Sequence, residues 1–231
     1  MVPTEETAEA SEEKQGVSAP AITLPKAGGA IHGMGEKIAA NPVTGTGSMS
    51  IPIATSPGRS GFGPGLSISY DSGAGNGSFG LGWNLSIPSI TRKTDKGLPK
   101  YQDAEDSDVF ILSGAEDLVP VLVDKGGGNW EREEIKLRIV GGQTYLIRRY
   151  HPRIEGLFAR IERWTNQGNP EDTFWRSISK DNITTWYGKT EASRIVDPSD
   201  PARIFSWLIC ESYDDKGNVI VYGYKEENSK C

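Results

Sequence analysis

The sequence predicts an all-β protein of antiparallel strands and hairpins, in a sandwich-like or shell-forming sheet arrangement with glycine-rich turns. Three observations support this fold class. Apolar and polar residues alternate over runs of roughly five to seven residues, the period of a half-buried strand. Segments with too much glycine to be helical separate these runs. The 231 residues include 28 glycines and 14 prolines, a composition that favours many turns over helices.

The alternation is clearest in the first half of the chain. Three runs, at residues 48–53, 66–70 and 84–90, each place apolar side chains on one face. The turns between them read PGRSGFGPG and SGAGNGSFGLGW. We predict that Gly77, Gly80 and Gly82 occupy a turn too tight for a Cβ atom. This segment is therefore predicted to be a three-stranded β unit with ordered turns.

The strand pattern continues to the C-terminus. Residues 109–112 and 118–123 predict a hairpin, in which Pro120 indicates an edge or a bulge. Further strands are predicted at residues 135–139, 144–150, 157–164, 174–178 and 184–187. Residues 180–182 are typical of a compact hairpin turn. Residues 197–201 are expected to form a turn that opens a short helix.

The segment IFSWLICESYDDKGNVIVYGYKEEN places two apolar strands around Tyr213–Asn218. The Asp-x-x-Gly-Asn sequence supplies a side-chain acceptor and a positive-φ residue, as a tight hairpin requires. This unit resembles one YD repeat of the Rhs type, whose repeats stack as hairpins into β shells. Apolar side chains lie on both faces of the predicted hairpin, so we expect an unfinished sheet edge that self-associates.

The chain is expected to divide near residue 20. Residues 1–20 are rich in glutamate and poor in large apolar side chains, so we expect a disordered acidic tail. A short helix over Thr4–Lys14 is the alternative. Residues 21–231 are expected to form one β domain, with a core motif at 41–123 and a hairpin-rich second part at 130–231.

The charge disfavours two classes of partner. A formal net charge of −6 argues against nucleic acid or an anionic membrane, because both require a basic surface. A local basic cluster of Arg148, Arg149, His151 and Arg153 is interpreted as a solvated strand edge. No apolar run approaches the ~18 residues of a membrane span, and the first twenty residues lack the features of a cleaved signal peptide.

The residues predict no enzyme: no catalytic residue, cofactor site or metal site is assigned. His32 and His151 are isolated, and Cys210 is interpreted as a small core residue. The acidic loop at residues 103–108 could bind calcium, although a solvated loop is the favoured interpretation. Tryptophans are expected to pack between sheets. The best candidates for an alternative carbohydrate-binding face are Trp175, Trp186 and Tyr187.

Four pieces of sequence carry a family resemblance. They are SIPI, the run from SPGRSGFGPGLSISY through SGAGNGSFGLGW, the continuation IPSITRKTDKGLPKY, and DVFILSGAEDLVPVL. These resemble the opening domain of the SpvB family, which includes the B components of insecticidal toxin complexes. The resemblance is strong over residues 22–123 and looser beyond. It implies a non-catalytic N-terminal domain of a secreted virulence protein, forming part of a β shell that encloses or delivers a toxin.

The same resemblance implies partners and leaves alternatives open. The expected partners are the C-type (Rhs) component and the A-type translocation component of a toxin complex. We expect synthesis in the bacterial cytoplasm and secretion without a classical signal peptide. The alternatives are a surface-binding module for glycan or protein, and the front end of an ADP-ribosyltransferase toxin lacking its catalytic domain. Such enzymes use a Glu-x-Glu pair with a Ser-Thr-Ser strand, and Glu131 and Glu133 have the spacing alone.

Overall fold

The computed structural model describes residues 37–41, 45–56, 58–77, 79–113 and 117–225. The predictions for residues 1–20, His32 and the C-terminal cysteine lie outside these residues. The strands are β1 (Lys37–Asn41), β2 (Thr46–Pro52), β3 (Ser67–Asp71), β4 (Asn76–Gly77), β5 (Gly80–Leu81), β6 (Trp83–Leu85), β7 (Ser89–Arg92), β8 (Phe110–Leu112), β9 (Asp117–Pro120), β10 (Leu122–Asp124), β11 (Trp130–Arg132), β12 (Lys136–Val140), β13 (Gln143–Pro152), β14 (Arg160–Asn166), β15 (Thr173–Ile178), β16 (Thr184–Tyr187), β17 (Arg194–Asp197), β18 (Asp200–Tyr213) and β19 (Val219–Val221). Short 3-10 turns occur at Arg59–Gly61 and Glu191–Ser193. The all-β prediction is confirmed.

The largest sheet closes on itself. Eight strands follow the order β13-β14-β15-β16-β18-β7-β8-β9, and β9 pairs back onto β13. All of these pairings are antiparallel. Closure leaves these strands without free edges along their paired lengths. The barrel contains strands from both parts of the predicted division at residues 41–123 and 130–231. Its strands β7, β8 and β9 belong to the first part and the others to the second. The boundaries of the two parts stay a prediction.

Other strands lie outside the ring. β12 extends β13 where β9 does not pair with it, and β17 and β19 pair with β18. β10 and β11 form a separate hairpin. A second, open sheet has the order β1-β2-β3-β6 and carries the tiny β4–β5 hairpin in its last connection.

The barrel interior is a packed core. Phe110 lies near its centre, with ring centroids 4.9 Å from Trp175, 5.7 Å from Trp207 and 6.0 Å from Tyr150. The buried cluster consists of Ile90, Phe110, Leu112, Leu118, Tyr150, Ile161, Trp175, Tyr187, Ile204, Trp207 and Ile209. Eight strands enclose a space just wide enough for side chains to fill, so this barrel is solid.

A second aromatic cluster covers the outside of the barrel wall. Because successive side chains alternate across a sheet, Trp164 and Phe174 face away from the interior that Ile161 and Trp175 occupy. Tyr145, Ile147 and the half-buried Trp186 complete this cluster. The cationic side chains of Arg138, Arg176 and Lys189 lie over its rings.

The hairpin turn predicted at residues 180–182 is confirmed, and so is the pairing of the strands predicted at 109–112 and 118–123, as β8 with β9. The single strand predicted over 118–123 is wrong, because β9 ends at Pro120 and Leu122–Asp124 pair with β11 instead. The Tyr213–Asn218 turn is also a tight hairpin. The backbone N–H groups of Lys216 and Asn218 each donate to Asp214 Oδ1 at 2.9 Å, and Gly217 has φ of 82°. Its assignment to a YD repeat stays a prediction. The short helix expected at residues 197–201 is wrong: β17 and β18 pair there, and Asp197 caps the turn by accepting from Ser199 N at 2.9 Å.

Candidate functional site

Three aspartates of the β7–β8 loop meet four arginines at one end of the barrel. The loop spans residues 93–109 and contains the acidic run that the sequence singled out. The arginines come from β7, β11, β13 and β14, so the loop crosses the barrel from one wall to the other. We call this arrangement the arginine–aspartate plug: Arg92, Arg132, Arg148, Arg163, Asp103, Asp106 and Asp108.

Arg92 is the centre of the plug and is only 2% exposed. Its Nη1 donates to Asp103 at 2.6 Å and to Asp108 at 2.8 Å, and its Nη2 donates to Asp103 at 2.9 Å. Its Nε donates to the carbonyl of Ile204 at 2.7 Å. The guanidinium also lies 5.1 Å from the Phe110 ring. A buried charge is tolerated when it is paired and hydrogen-bonded in this way.

The other arginines tie the loop to the opposite wall. Arg148 donates to both carboxylate oxygens of Asp106 at 3.0 Å, and Arg132 pairs with the same carboxylate. Arg163 Nη1 lies 3.7 Å from Asp103, an ion pair without a direct hydrogen bond, while its Nη2 donates to the Asp103 carbonyl at 3.4 Å. Ion pairs therefore hold the loop to β7 on one side and to β11, β13 and β14 on the other.

The electrostatics keep these carboxylates ionised. Burial raises the pKa of Asp103, but hydrogen bonds from Arg92 and the positive charge of Arg163 outweigh it, so the pKa lies below its ordinary value. Burial also raises the pKa of Asp108. The backbone N–H groups of Lys100 and Tyr101 and the charge of Arg92 outweigh that effect, and the pKa is again lowered.

This chemistry fits a structural clamp better than a metal site. The aspartate oxygens that calcium would need already accept hydrogen bonds from guanidinium groups, and Glu105 remains exposed. Within the described residues, no group of three or more His, Cys, Asp or Glu side chains could hold a metal ion. The favoured interpretation of a solvated acidic loop is wrong as well, because tertiary contacts bring distant arginines onto it.

The basic cluster on β13 is mostly neutralised by partners far away in sequence. Arg148 pairs with Asp106, Arg149 with Glu133 and Arg153 with Asp117. His151 Nδ1 lies 2.8 Å from the Pro152 carbonyl, so this nitrogen carries the proton. The cluster is thus a set of ion pairs along a strand, half-buried in places.

The Glu131–Glu133 pair also has a structural setting. Glu131 is exposed, whereas Glu133 accepts from Arg149 at 3.1 Å and lies 3.2 Å from Lys136 Nζ. Burial raises the pKa of Glu133, but the opposing effect of Lys136 and Arg149 is larger, so the pKa lies below its ordinary value. Cys210 is 4% exposed and its thiol donates to the Trp186 carbonyl at 3.3 Å, as expected of a core residue.

The predicted carbohydrate-binding aromatics do not share a face. Trp175 and Tyr187 are buried inside the barrel, at 0% and 5% exposure, while Trp186 faces outward. Lys189 Nζ lies 4.9 Å from the Trp186 ring, and Arg176 lies over both Trp186 and Trp164. That prediction is wrong because Trp186 and Tyr187 are neighbours on one strand and must point to opposite sides. The exposed tryptophan is Trp130, at 59%, which the sequence patterns did not single out.

The prediction of a turn too tight for a Cβ atom is confirmed at Gly77 and Gly82, whereas Gly80 has open space around it and favours glycine only because of its positive φ. Gly80 and Gly82 have φ of 102° and 78°. A Cβ on Gly82 would lie 2.6 Å from Tyr70 Cε2, and one on Gly77 would lie 2.3 Å from the Trp83 carbonyl oxygen. These positions therefore require glycine for backbone conformation or close approach. In the described part of the chain, no helical segment has the length and hydropathy to cross a membrane.

The family model and the curated proteins that this chain matches all concern SpvB proteins. Residues 41–231 match the family model described as Salmonella virulence plasmid 65kDa B protein. The chain is 36% identical over 205 residues to the mono(ADP-ribosyl)transferase SpvB of Salmonella typhimurium, covering 89% of this chain and 33% of the relative. The SpvB protein of Salmonella dublin is equally similar, at 36% identity with 89% and 32% coverage. The chain therefore spans about a third of the length of these curated relatives.

Solved structures agree with this relationship. A chain of the TcdB2-TccC3 crystal structure superposes with a TM-score of 0.75 at 32% identity, covering 92% of this chain and 10% of that one. The Photorhabdus luminescens Tc holotoxin pore gives 0.75 at 32% identity, with 94% and 10% coverage. The N-terminal domain of effector protein SpvB from Salmonella typhimurium strain LT2 gives 0.64 at 36% identity, with 73% and 52% coverage. The family match over most of its length establishes that this chain belongs to the SpvB family.

Proposed function

We propose that this chain is a non-catalytic structural domain of a bacterial toxin-complex protein, forming part of a β shell that encloses or delivers a toxin. The observation that carries this proposal is the similarity to a TcdB2-TccC3 chain over 92% of the present chain, at a TM-score of 0.75. That chain is about ten times longer, so the domain would be one building block of a larger wall.

The geometry supports a wall element. The barrel is filled by its own aromatic side chains and leaves no enclosed site for a substrate among the residues of its core. The buried side chains of Arg92, Asp106 and Asp108 at its end are committed to ion pairs. Groups that perform acid–base or nucleophilic chemistry need access to a substrate, which these positions do not have.

The proposal extends to partners and location. The neighbouring subunits would be a C-type (Rhs) component and an A-type translocation component, in line with the Tc holotoxin similarity. The protein would be made in the bacterial cytoplasm and leave the cell with its complex.

A domain exchange tests the shell role. This chain would replace the equivalent domain of a TcdB2-type protein, which is then co-expressed with its TccC3-type component. We expect a closed particle by electron microscopy and cargo that resists added protease. The unexchanged protein is the positive control. A chimera that is folded by circular dichroism but leaves its cargo sensitive to protease would contradict the shell role.

A second candidate is a targeting or support domain of an ADP-ribosyltransferase effector, favoured by the 36% identity to proteins named mono(ADP-ribosyl)transferase SpvB. In that case catalysis would belong to a different part of a longer protein. We expect this chain alone to leave actin unlabelled when incubated with labelled NAD. Labelling above a heat-treated control would overturn the non-catalytic assignment and direct attention to Glu131 and Glu133.

A further inference from the structure

Trp130 is exceptional among the tryptophans of this chain. The other five are buried or half-buried, whereas Trp130 is 59% exposed on the β10–β11 hairpin. Its ring makes no aromatic contact, and its indole Nε1 has no hydrogen-bond partner among the described residues. An exposed tryptophan of this kind leaves a large apolar surface in water and suggests that something covers it.

The indole borders a depression of about 480 Å³, within the range of ligand-binding clefts. The β10–β11 pairing places Leu122 opposite Arg132 and Asp124 opposite Trp130, so these four side chains share one face of the hairpin. We call the depression the Trp130 cleft; it is lined by Val119, Pro120, Val121, Leu122, Trp130, Arg132 and His151.

The polar groups of the cleft have unused hydrogen-bonding capacity. His151 Nδ1 lies 2.8 Å from the Pro152 carbonyl oxygen, and its Nε2 has no hydrogen-bond partner within the described residues. Arg132 pairs with Asp106, yet its side chain is 55% exposed and has further N–H donors. Asp124 shares the hairpin face with Trp130 but does not line the cleft; one of its oxygens accepts from Gly126 N at 2.8 Å, and the other has no partner within the described residues.

A flat apolar ring beside separate donors and acceptors matches the chemistry of a sugar. The C–H face of a pyranose can lie on an indole, while its hydroxyl groups donate to imidazole or carboxylate and accept from guanidinium. An apolar side chain of a protein partner would contact the aliphatic wall but leave the polar groups of His151 and Arg132 without hydrogen-bond partners. The aliphatic wall of Val119 and Leu122 suits the methyl of an N-acetyl group.

We propose that the Trp130 cleft binds a saccharide, with N-acetylhexosamines preferred over the corresponding hexoses. In this site Trp130 stacks on the sugar ring, His151 forms a hydrogen bond with a hydroxyl group, and Arg132 donates to a ring substituent. The proposal is independent of the shell role, because a wall domain and an isolated surface module could both present this cleft.

The test uses the full chain and immobilised glycans that end in N-acetylglucosamine, N-acetylgalactosamine, glucose or galactose. We expect saturable retention on the N-acetylated glycans and a blue shift of the exposed-indole fluorescence on adding the free sugar. Trp130→Ala should weaken binding by about tenfold or more, and Trp130→Phe by less, since a smaller ring keeps part of the stacking. His151→Ala should weaken it by about threefold to tenfold.

Phe158→Ala is the matched control, because Phe158 is 71% exposed but does not line the cleft. It should leave glycan binding unchanged. Circular dichroism and the unfolding midpoint of each variant separate loss of binding from loss of fold. The proposal is overturned if the native chain binds none of the four glycans, or if Trp130→Ala binds as tightly as the native chain. Retention on a glycoprotein that persists after enzymatic deglycosylation would assign the cleft to a polypeptide partner instead.

Discussion

The open sheet and the barrel of this protein differ in what they bury. Over residues 37–88, Gly82 is the only fully buried position among those whose exposure is described. The barrel, by contrast, buries eleven residues in one continuous cluster and adds a second aromatic cluster on its outer wall. Yet the open sheet contains the sequence by which the family is most easily recognised.

This difference shows that the features that make a family sequence easy to recognise and the features that stabilise the fold have separate physical origins. The open sheet needs glycine at particular positions, because Gly82 has positive φ and lies against the Tyr70 ring. Such a requirement admits one residue type. A core position in the barrel admits any apolar side chain of suitable shape, so its sequence is less distinctive although its contribution to stability is larger.

We expect the largest loss of stability when an aromatic side chain at the centre of the barrel is removed. Trp207 is 0% exposed and its Nε1 donates to the Thr173 carbonyl at 2.8 Å across the interior. Trp207→Ala should lower the free energy of unfolding by about 3–5 kcal/mol. Trp83→Ala, in the half-buried sheet beside Tyr70, should cost at most about 2 kcal/mol. Urea unfolding followed by circular dichroism measures both, and equal losses would erase the contrast between the regions.

The plug should rank next. Arg92→Met removes the partner of Asp108, whose side chain is 5% exposed, and of the more exposed Asp103. Leaving a buried carboxylate unpaired should cost about 3 kcal/mol, less than for a fully buried pair because water reaches Asp103. The matched control is Arg203→Met, whose side chain is 52% exposed and should matter by less than about 1 kcal/mol. Similar losses for both variants would show that the plug is only a surface network.

Glycine substitutions sharpen the description of the open sheet. Gly82→Ala should cost about 2–3 kcal/mol, since positive φ and the 2.6 Å approach to Tyr70 act together. Gly80→Val has open space around it, so its φ of 102° alone should cost about 1–2 kcal/mol. Gly65→Ala, which has neither constraint, should change stability by less than about 0.5 kcal/mol. Thermal melting of the three variants should give this order, and three unchanged melting curves would mean that the turn is not held in place.

Acid should loosen the β7–β8 loop only when the pH falls below the ordinary pKa of an aspartate. The pKa values of Asp103 and Asp108 lie below the ordinary value of 3.8. Their contribution to stability is therefore fully present above that value and is lost as the pH falls through the lowered folded-state values. Proteolysis of the 93–109 loop should stay constant from about pH 7 to pH 5 and rise only below about pH 4. A loop that opens near pH 6 would contradict these shifts.

The smallest effect on stability is expected at β19. Val219 and Val221 are 58% and 74% exposed, and among the strands of the described residues β19 pairs with β18 alone, on one of its two edges. Lysines at both positions should change the free energy of unfolding by less than about 0.5 kcal/mol. They should also raise the monomer fraction in light scattering, because edge lysines oppose strand pairing. A native chain that is already monomeric at high concentration would remove the basis for an open edge.

Much of the local structure was predictable because it depends on neighbouring residues. Two apolar runs on either side of a turn sequence predicted the pairing of β8 with β9, and Asp214 with Gly217 predicted the tight turn before β19. The helix expected near Pro198 failed because Asp197 caps a hairpin turn instead, a choice made by the pairing of β17 with β18. Patterns of residue type cannot distinguish two turns that use the same residues.

The candidate site was much less predictable. The acidic run at residues 103–108 was visible as charge, but its partners lie at positions 92, 132, 148 and 163. Trp130 followed a glycine turn and looked like any strand tryptophan, although it is exposed. Exposure depends on which strands lie beside a residue, and composition does not contain that information.

By itself, the sequence determined that this chain is made of antiparallel strands, that its turns need glycine, and that it resembles the SpvB family. These properties depend on backbone conformation and on a period of two, both of which are local. Tertiary structure alone decided that β9 pairs with β13, so that the sheet closes and its interior fills. It also decided that Arg92 meets Asp103 and Asp108 across a loop, because long-range pairing brings together charges that are separated along the chain.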